Sequence, residues 1–259
     1  MNFALNSLPQ REAKERNNGL TMVMDKGLSI REAEDFLSVS AQYVDLVKLG
    51  FGTSAFTPNL QEKINLYQNA GIKCYFGGTL FEAFVIRNQF DEYRRVLDQY
   101  GLNCAEVSDG SIEMNHQDKC NYIAELAKRG TVLSEVGSKD ANVELPEDVW
   151  LSQMRNELNA GSWKVIAEAR ESGTVGIFQG SGQAKTSLID GLLLQIGEEN
   201  ILWEAPMKSQ QVWFINKLGT NVNLGNIAPN EVIPLECLRM GLRGDTFHSF
   251  ITPQTTTAN

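Results

Sequence analysis

Eight times along this chain a short apolar, strand-like run ends in charged or glycine-rich residues, and a helical pattern follows. The endings are Asp25-Lys26-Gly27, Lys48-Leu49-Gly50, Gly77-Gly78-Thr79, Ser108-Asp109-Gly110, Glu135-Val136-Gly137, Glu168-Ala169-Arg170, Glu204-Ala205-Pro206 and Asn223-Leu224-Gly225. One such ending constrains nothing. Eight of them, alternating with helices, predict parallel strands closed into a ring, an α/β fold of the (β/α)8 TIM-barrel kind. The active site of such a barrel is built at the carboxyl ends of its strands. The length of 259 residues matches the roughly 250 typical of one such barrel. A single barrel domain is therefore expected over residues 19–250. A loosely attached arm precedes it at 1–18, and a frayed, threonine-rich tail follows at 251–259.

Local signals agree with this partition. Ser29-Ile30-Arg31-Glu32 has the spacing of a capping box and predicts a helix to about Ser40. Leu60, Ile64 and Tyr67 share one helical face, and Gly71 supplies the stop. Thr79-Leu80-Phe81-Glu82 reads as a second capping box at the rim. Strand eight is expected at Val222 to Leu224, ending on the glycine that follows. Gly173 to Gly182 is a long glycine-rich loop after strand six, with two readings, a flexible connection and a lid. The adjoining Gly180-Ser181-Gly182-Gln183-Ala184-Lys185-Thr186 is not a P-loop, because Ala184 stands where the glycine before the lysine is required.

Composition excludes several function classes. A net charge of −9 argues against nucleic acid and anionic membrane as partners. The polar amino terminus is unlike a signal peptide, and no apolar run reaches the ~18 residues of a membrane span, so a soluble, cytoplasmic protein is expected. The four cysteines form no CxxC pair and read as buried, reduced thiols. The two histidines, His116 and His248, lack ligand spacing and read as surface residues.

The strand ends carry the acids Asp25, Asp109, Glu135, Glu168 and Glu204, and the cations Lys26, Lys48, Lys139, Arg170 and Lys208 lie on or near the same rim. A ring of acids repels itself unless positive charge neutralises it. Lysines supply part of that charge, and a hard divalent ion such as Mg²⁺ suits the remaining oxygen donors. Each acid thus has two readings, metal ligand or ion-pair partner. With no histidine in place, proton transfer falls to a lysine or a carboxyl group. Lys139 follows strand five and reads either as that acid or as an exposed loop lysine. Arg239 and Arg243, near the C-terminus, have two readings, phosphate ligands through their planar forks or solvated cations favoured by the helix dipole.

At these residues the chain resembles the phosphosulfolactate synthase family. The shared landmarks include "VKLGFGTSA" from Val47, "GGTLFE" from Gly77, "EVSDGS" from Glu106, "SEVGSK" from Ser134, "EARESG" from Glu168, "EAPMKSQQ" from Glu204 and "VNLGNIA" from Val222. The resemblance runs from Leu20 to about Phe247. It implies a homotrimeric carbon–sulfur lyase that adds sulfite to phosphoenolpyruvate with Mg²⁺, as in coenzyme M and sulfonate biosynthesis. It implies Lys139 as the group that protonates C2. Substrate anions then fall to Lys26, Lys48, Arg170, Lys208 and Arg243, and the metal to Asp109, Glu135 and Glu168. One position departs from the family's common "EVGKK", since Ser138 replaces its first lysine. The family also includes plant heat-tolerance proteins. A non-catalytic, stress-related barrel and an enzyme acting on another phosphorylated enol acid therefore stand as alternatives.

Overall fold

The computed structural model describes residues 2–138, 145–170 and 172–251. Strands and helices alternate through the chain: β1 Thr21–Asp25, α1 Ile30–Ser40, β2 Leu46–Leu49, α2 Leu60–Asn69, β3 Lys73–Phe76, α3 Gly78–Val85, α4 Phe90–Gln99 and β4 Cys104–Val107. The second half continues with α5 His116–Ala127, β5 Thr131–Val136, α6 Glu147–Asn159, β6 Lys164–Ala167, α7 Thr186–Ile196, β7 Ile201–Glu204, α8 Lys208–Leu218, β8 Leu224–Ile227, α9 Val232–Arg239 and α10 Phe247–Phe250. The strands form one sheet in the order β3-β2-β1-β8-β7-β6-β5-β4, and every ladder is parallel. β3 and β4 pack side by side at its two ends. The fold is a (β/α)8 barrel, nearly closed.

Successive strand residues point to opposite faces, so each strand feeds two cores. Met22, Leu46, Tyr75, Cys104, Leu133, Ile166 and Leu202 fill the barrel interior. Their neighbours Val23, Val47, Phe76, Ala105, Val132, Val165 and Trp203 pack outward beneath the helices. The interior is a filled core rather than a channel, as this fold requires.

Of the two capping boxes, the first forms. Glu32 N–H donates to Ser29 Oγ at 3.3 Å, and Ser29 N–H donates to Glu32 Oε2 at 2.8 Å. The second does not, because α3 begins at Gly78 with Gly77 as an N-cap that makes no side-chain bond. Glu82 is buried and turned across the β3–β4 seam instead, accepting from the Ser108 hydroxyl and, at 3.2 Å, from Ser111 N–H. The arm expected to be loose is tied across the opposite end of the barrel. Arg11 pairs with Glu236 at 3.1 Å and Arg16 with Asp45 at 3.0 Å, with little of either guanidinium exposed. Arg239 is likewise not at the rim. It is fully buried at the barrel floor and donates to the carbonyls of Thr220, Val222 and Leu20 at 2.6, 2.7 and 3.1 Å.

Candidate active site

The same two-residue period that fills the interior builds the mouth. Two positions beyond Leu46, Cys104, Leu133, Ile166 and Leu202 stand Lys48, Glu106, Glu135, Glu168 and Glu204. Each continues an inward-facing row. Together they roof the apolar core with a charged layer, and all five are buried. The layer lines a cavity of about 450 Å³ whose wall also includes Gly77, Gly78, Arg170 and Asn226.

Lys48 is the hub of this layer. Its Nζ lies 3.0 Å from Glu204 Oε1, 3.3 Å from Glu106 Oε2 and 3.7 Å from Glu135 Oε2. Burial opposes its charge, but Glu106, Glu204 and Glu135 outweigh that penalty and hold its pKa well above the usual lysine value. A proton held so tightly makes Lys48 a fixed cation rather than an acid. Backbone donors fix the carboxylates from their other sides. Gly78 N–H donates to Glu106 Oε1 at 2.6 Å, Ala169 N–H to Glu204 Oε2 at 2.9 Å, and Arg170 N–H to Glu168 Oε1 at 2.6 Å. Burial raises the pKa of Glu106 to about 7, with Lys48 opposing the rise and Glu135 and Glu204 adding to it. Burial also raises Glu204 against the pull of Lys48.

Oxygens of Glu135, Glu168 and Glu204 all lie within 4.8 Å of one another. Among the described residues, the layer sets four buried acids against one buried lysine, in a site shielded from water. Gathering like charge in a buried site is costly. Three hard oxygen donors converging on one point, with excess negative charge around them, fit Mg²⁺ or Mn²⁺ and suit zinc poorly.

The sequence-predicted residues divide sharply. Lys48, Glu135, Glu168 and Arg170 line the cavity. Asp109 is not among the three converging acids. It lies an odd number of residues from Glu106, so it turns to the outer face and pairs with Lys119 of α5 at 2.7 Å. Asp25 turns outward for the same reason, accepting from Tyr67 at 2.8 Å and pairing with Lys63 at 2.6 Å. Lys208 and Arg243 meet at Asp245, at 2.7 and 3.7 Å, outside the cavity wall. Lys26 is exposed and also outside that wall. Lys139 lies outside the described residues. The cysteines are free, and Cys74, Cys104 and Cys120 are buried. His248 is exposed, while His116 opens α5 with its Nδ1 3.8 Å from the buried Glu157.

Sequence reasoning missed Glu106 and left Glu204 without a role. The signal was present in both cases, a glutamate two positions beyond an interior residue within an apolar strand. Sorting by position at strand ends, rather than by parity, hid it.

The family described as "(2R)-phospho-3-sulfolactate synthase (ComA)" matches residues 9–245. This chain belongs to that family. Phosphosulfolactate synthase of Bacillus subtilis (strain 168) is 40% identical over 243 residues, covering 93% of this chain and 96% of the relative. Phosphosulfolactate synthase of Methanocaldococcus jannaschii is 45% identical over 235 residues, covering 88% and 94%. Among solved structures, 3-hexulose-6-phosphate synthase from Salmonella typhimurium aligns with a TM-score of 0.57 at 13% identity, over 86% of this chain and all of that one. That likeness concerns the barrel alone. The family match spans the whole charged layer, from Lys48 to Glu204, and the relatives are named as enzymes. Among the described residues, no helix is long and apolar enough to cross a membrane.

Proposed function

We propose that this protein joins sulfite to phosphoenolpyruvate to give phosphosulfolactate. The observation that carries the reading is the buried layer of four carboxylates around one lysine, in a chain of this family. The substrates are anions that must enter an acidic mouth, which requires a cation between substrate and protein. Glu135, Glu168 and Glu204 are the residues that would hold Mg²⁺, with Glu204 taking the place first given to Asp109. When bound, Mg²⁺ supplies a hard positive charge to the substrate carboxylate, where negative charge accumulates during addition.

In the reaction the sulfur lone pair forms a bond to C3, the C2–C3 π electrons move toward C2 and the carboxylate, and C2 takes up one proton. Nothing leaves, so atoms and charge balance. Arg170 at the cavity edge is the described cation placed to meet an incoming anion, and it has a fork suited to phosphate or sulfite. Lys48 holds Glu106, Glu135 and Glu204 in place. The proton for C2 is assigned to Lys139 by family resemblance.

The test is incubation with phosphoenolpyruvate, sulfite and Mg²⁺, followed by NMR for a new C–S product. Product should appear with Mg²⁺ and vanish with EDTA. Lys139→Ala should keep phosphoenolpyruvate binding while kcat falls by about 10²–10⁴-fold, and Lys139→Arg should not rescue it. No product under any metal condition would refute the reaction. A large KM rise at near-normal kcat would make Lys139 an anion-binding residue instead.

A further inference from the structure

β8 breaks the rule that builds the rest of the mouth. Strict alternation along Leu224–Ile227 would turn Leu224 outward, Gly225 inward, Asn226 outward and Ile227 inward. The first two positions obey. Leu224 packs in the outer core, and a Cβ on Gly225 would lie 2.8 Å from Met22 Cε inside the barrel. The last two do not, because Ile227 packs outward and Asn226 lines the mouth.

The backbone shows how the break is made. β1 pairs Thr21 with Leu224 and Val23 with Ile227, so two steps on β1 face three on β8. The extra residue makes a β-bulge, and Asn226 sits in it with φ at 56°. Bulges re-aim side chains beside active sites, and a left-handed residue inside one accomplishes the turn. Asparagine is among the few residues other than glycine that enter this conformation readily. The re-aimed amide is 7% exposed, and its Oδ1 has no hydrogen-bond partner among the described residues. A buried carbonyl oxygen left unsatisfied costs about 1–3 kcal/mol unless something else meets it.

The position of that oxygen indicates what meets it. Glu204 pairs in register with Gly225, so Asn226 is one step beyond it on the neighbouring strand. Four consecutive strands thus each present one oxygen-bearing side chain to the same cavity: Glu135 on β5, Glu168 just past β6, Glu204 on β7 and Asn226 on β8. An anion would find no reason to approach a carbonyl oxygen among acids, whereas a hard cation would. We propose that Asn226 Oδ1 is the fourth protein oxygen for the divalent cation held by Glu135, Glu168 and Glu204, placed there by the β8 bulge. The proposal rests on the metal-dependent reading above.

The competing explanation is that asparagine stands here only because it tolerates the left-handed backbone. Mn²⁺ titration into metal-free protein without substrate separates the two, read by calorimetry and by loss of the free-ion EPR signal. Asn226→Gly keeps the backbone conformation and removes the oxygen. It should remain folded by circular dichroism and bind Mn²⁺ at least about tenfold more weakly. Asn226→Asp keeps both the conformation and an oxygen, and should bind at least as tightly as wild type. Glu168→Gln, which removes an acid of the trio, should also weaken binding. Wild-type affinity in Asn226→Gly beside a weakened Glu168→Gln would overturn the role of Asn226 and leave the metal site standing. Folded Asn226→Asp that binds as poorly as Asn226→Gly would overturn it too. Wild-type protein that takes up no Mn²⁺ would remove both readings.

Discussion

Glu106 shows how one residue's surroundings set its chemistry. In the unfolded chain its carboxyl group titrates in the usual carboxylate range near 4.5, and in the folded mouth burial moves it to about 7. The folded state therefore binds this proton more tightly than the unfolded state. Its contribution to stability is fully present below pH 4.5 and is lost as pH rises through 7. Glu106→Gln carries no such proton, and its amide oxygen still accepts from Gly78 N–H. In EDTA, urea unfolding at pH 5, 6, 7 and 8 should show wild type losing stability relative to Glu106→Gln by on the order of 1–3 kcal/mol. A constant difference at all four pH values would show that Glu106 ionises as an ordinary glutamate. Such a carboxyl group was legible in the sequence once parity was applied. Its pKa was not, because that depends on Lys48, Glu135 and Glu204 arriving from three other strands.

At the scale of elements, the sequence was most informative where the determinants were local. The Ser29–Glu32 box needs four consecutive residues and formed as expected. The Thr79–Glu82 box had the same spacing and failed, since Glu82 found tertiary partners in Ser108 and Ser111. Strand eight was expected over Val222 to Leu224, ending on Gly225, yet Gly225 and Asn226 lie within β8 and Asn226 sits in its bulge. The glycine-rich loop after β6 is a similar case. Composition offered a flexible connection or a lid, but not its fastening. Gln210 of α8, fully inside the protein, donates from Nε2 to Gly173 O at 2.7 Å and Gly182 O at 3.4 Å. Arg170 and Ser172, at the start of this loop, line the cavity. Replacing Gln210 with leucine strands the buried Gly173 carbonyl at a cost of about 1–3 kcal/mol and loosens the segment that presents Arg170. KM for phosphoenolpyruvate should rise several-fold with a smaller change in kcat, measured by steady-state kinetics. A lower Tm with unchanged KM would make the clasp purely structural.

Across the whole molecule, stability and chemistry occupy opposite ends of the barrel, as this fold allows. The mouth concentrates like charge, with four buried acids and one buried lysine among the described residues. The floor does the reverse, for Arg239 gathers three backbone carbonyls at the start of β1 and before β8, and the arm seals over them with the Arg11–Glu236 and Arg16–Asp45 pairs. Nothing in the spacing of Arg239 distinguished a floor clamp from a phosphate ligand, because its partners are carbonyls, which carry no sequence signature. The division predicts that changes at the two ends have opposite effects. Arg239→Met should cost roughly 3 kcal/mol or more by leaving those carbonyls unpaired, lowering Tm by about 6–12 °C. The folded fraction should still bind Mn²⁺ normally, since no mouth residue has moved. Glu168→Gln removes one of four crowded acids and retains an oxygen for Arg170 N–H. It should leave the metal-free Tm unchanged or higher while weakening Mn²⁺ binding. Thermal unfolding with and without Mn²⁺ reads both effects: added ion should raise Tm in wild type and Arg239→Met alike, and much less in Glu168→Gln. If Arg239→Met lost the Mn²⁺-induced rise, floor and mouth would be coupled through the barrel wall, and the separation of roles drawn here would fail.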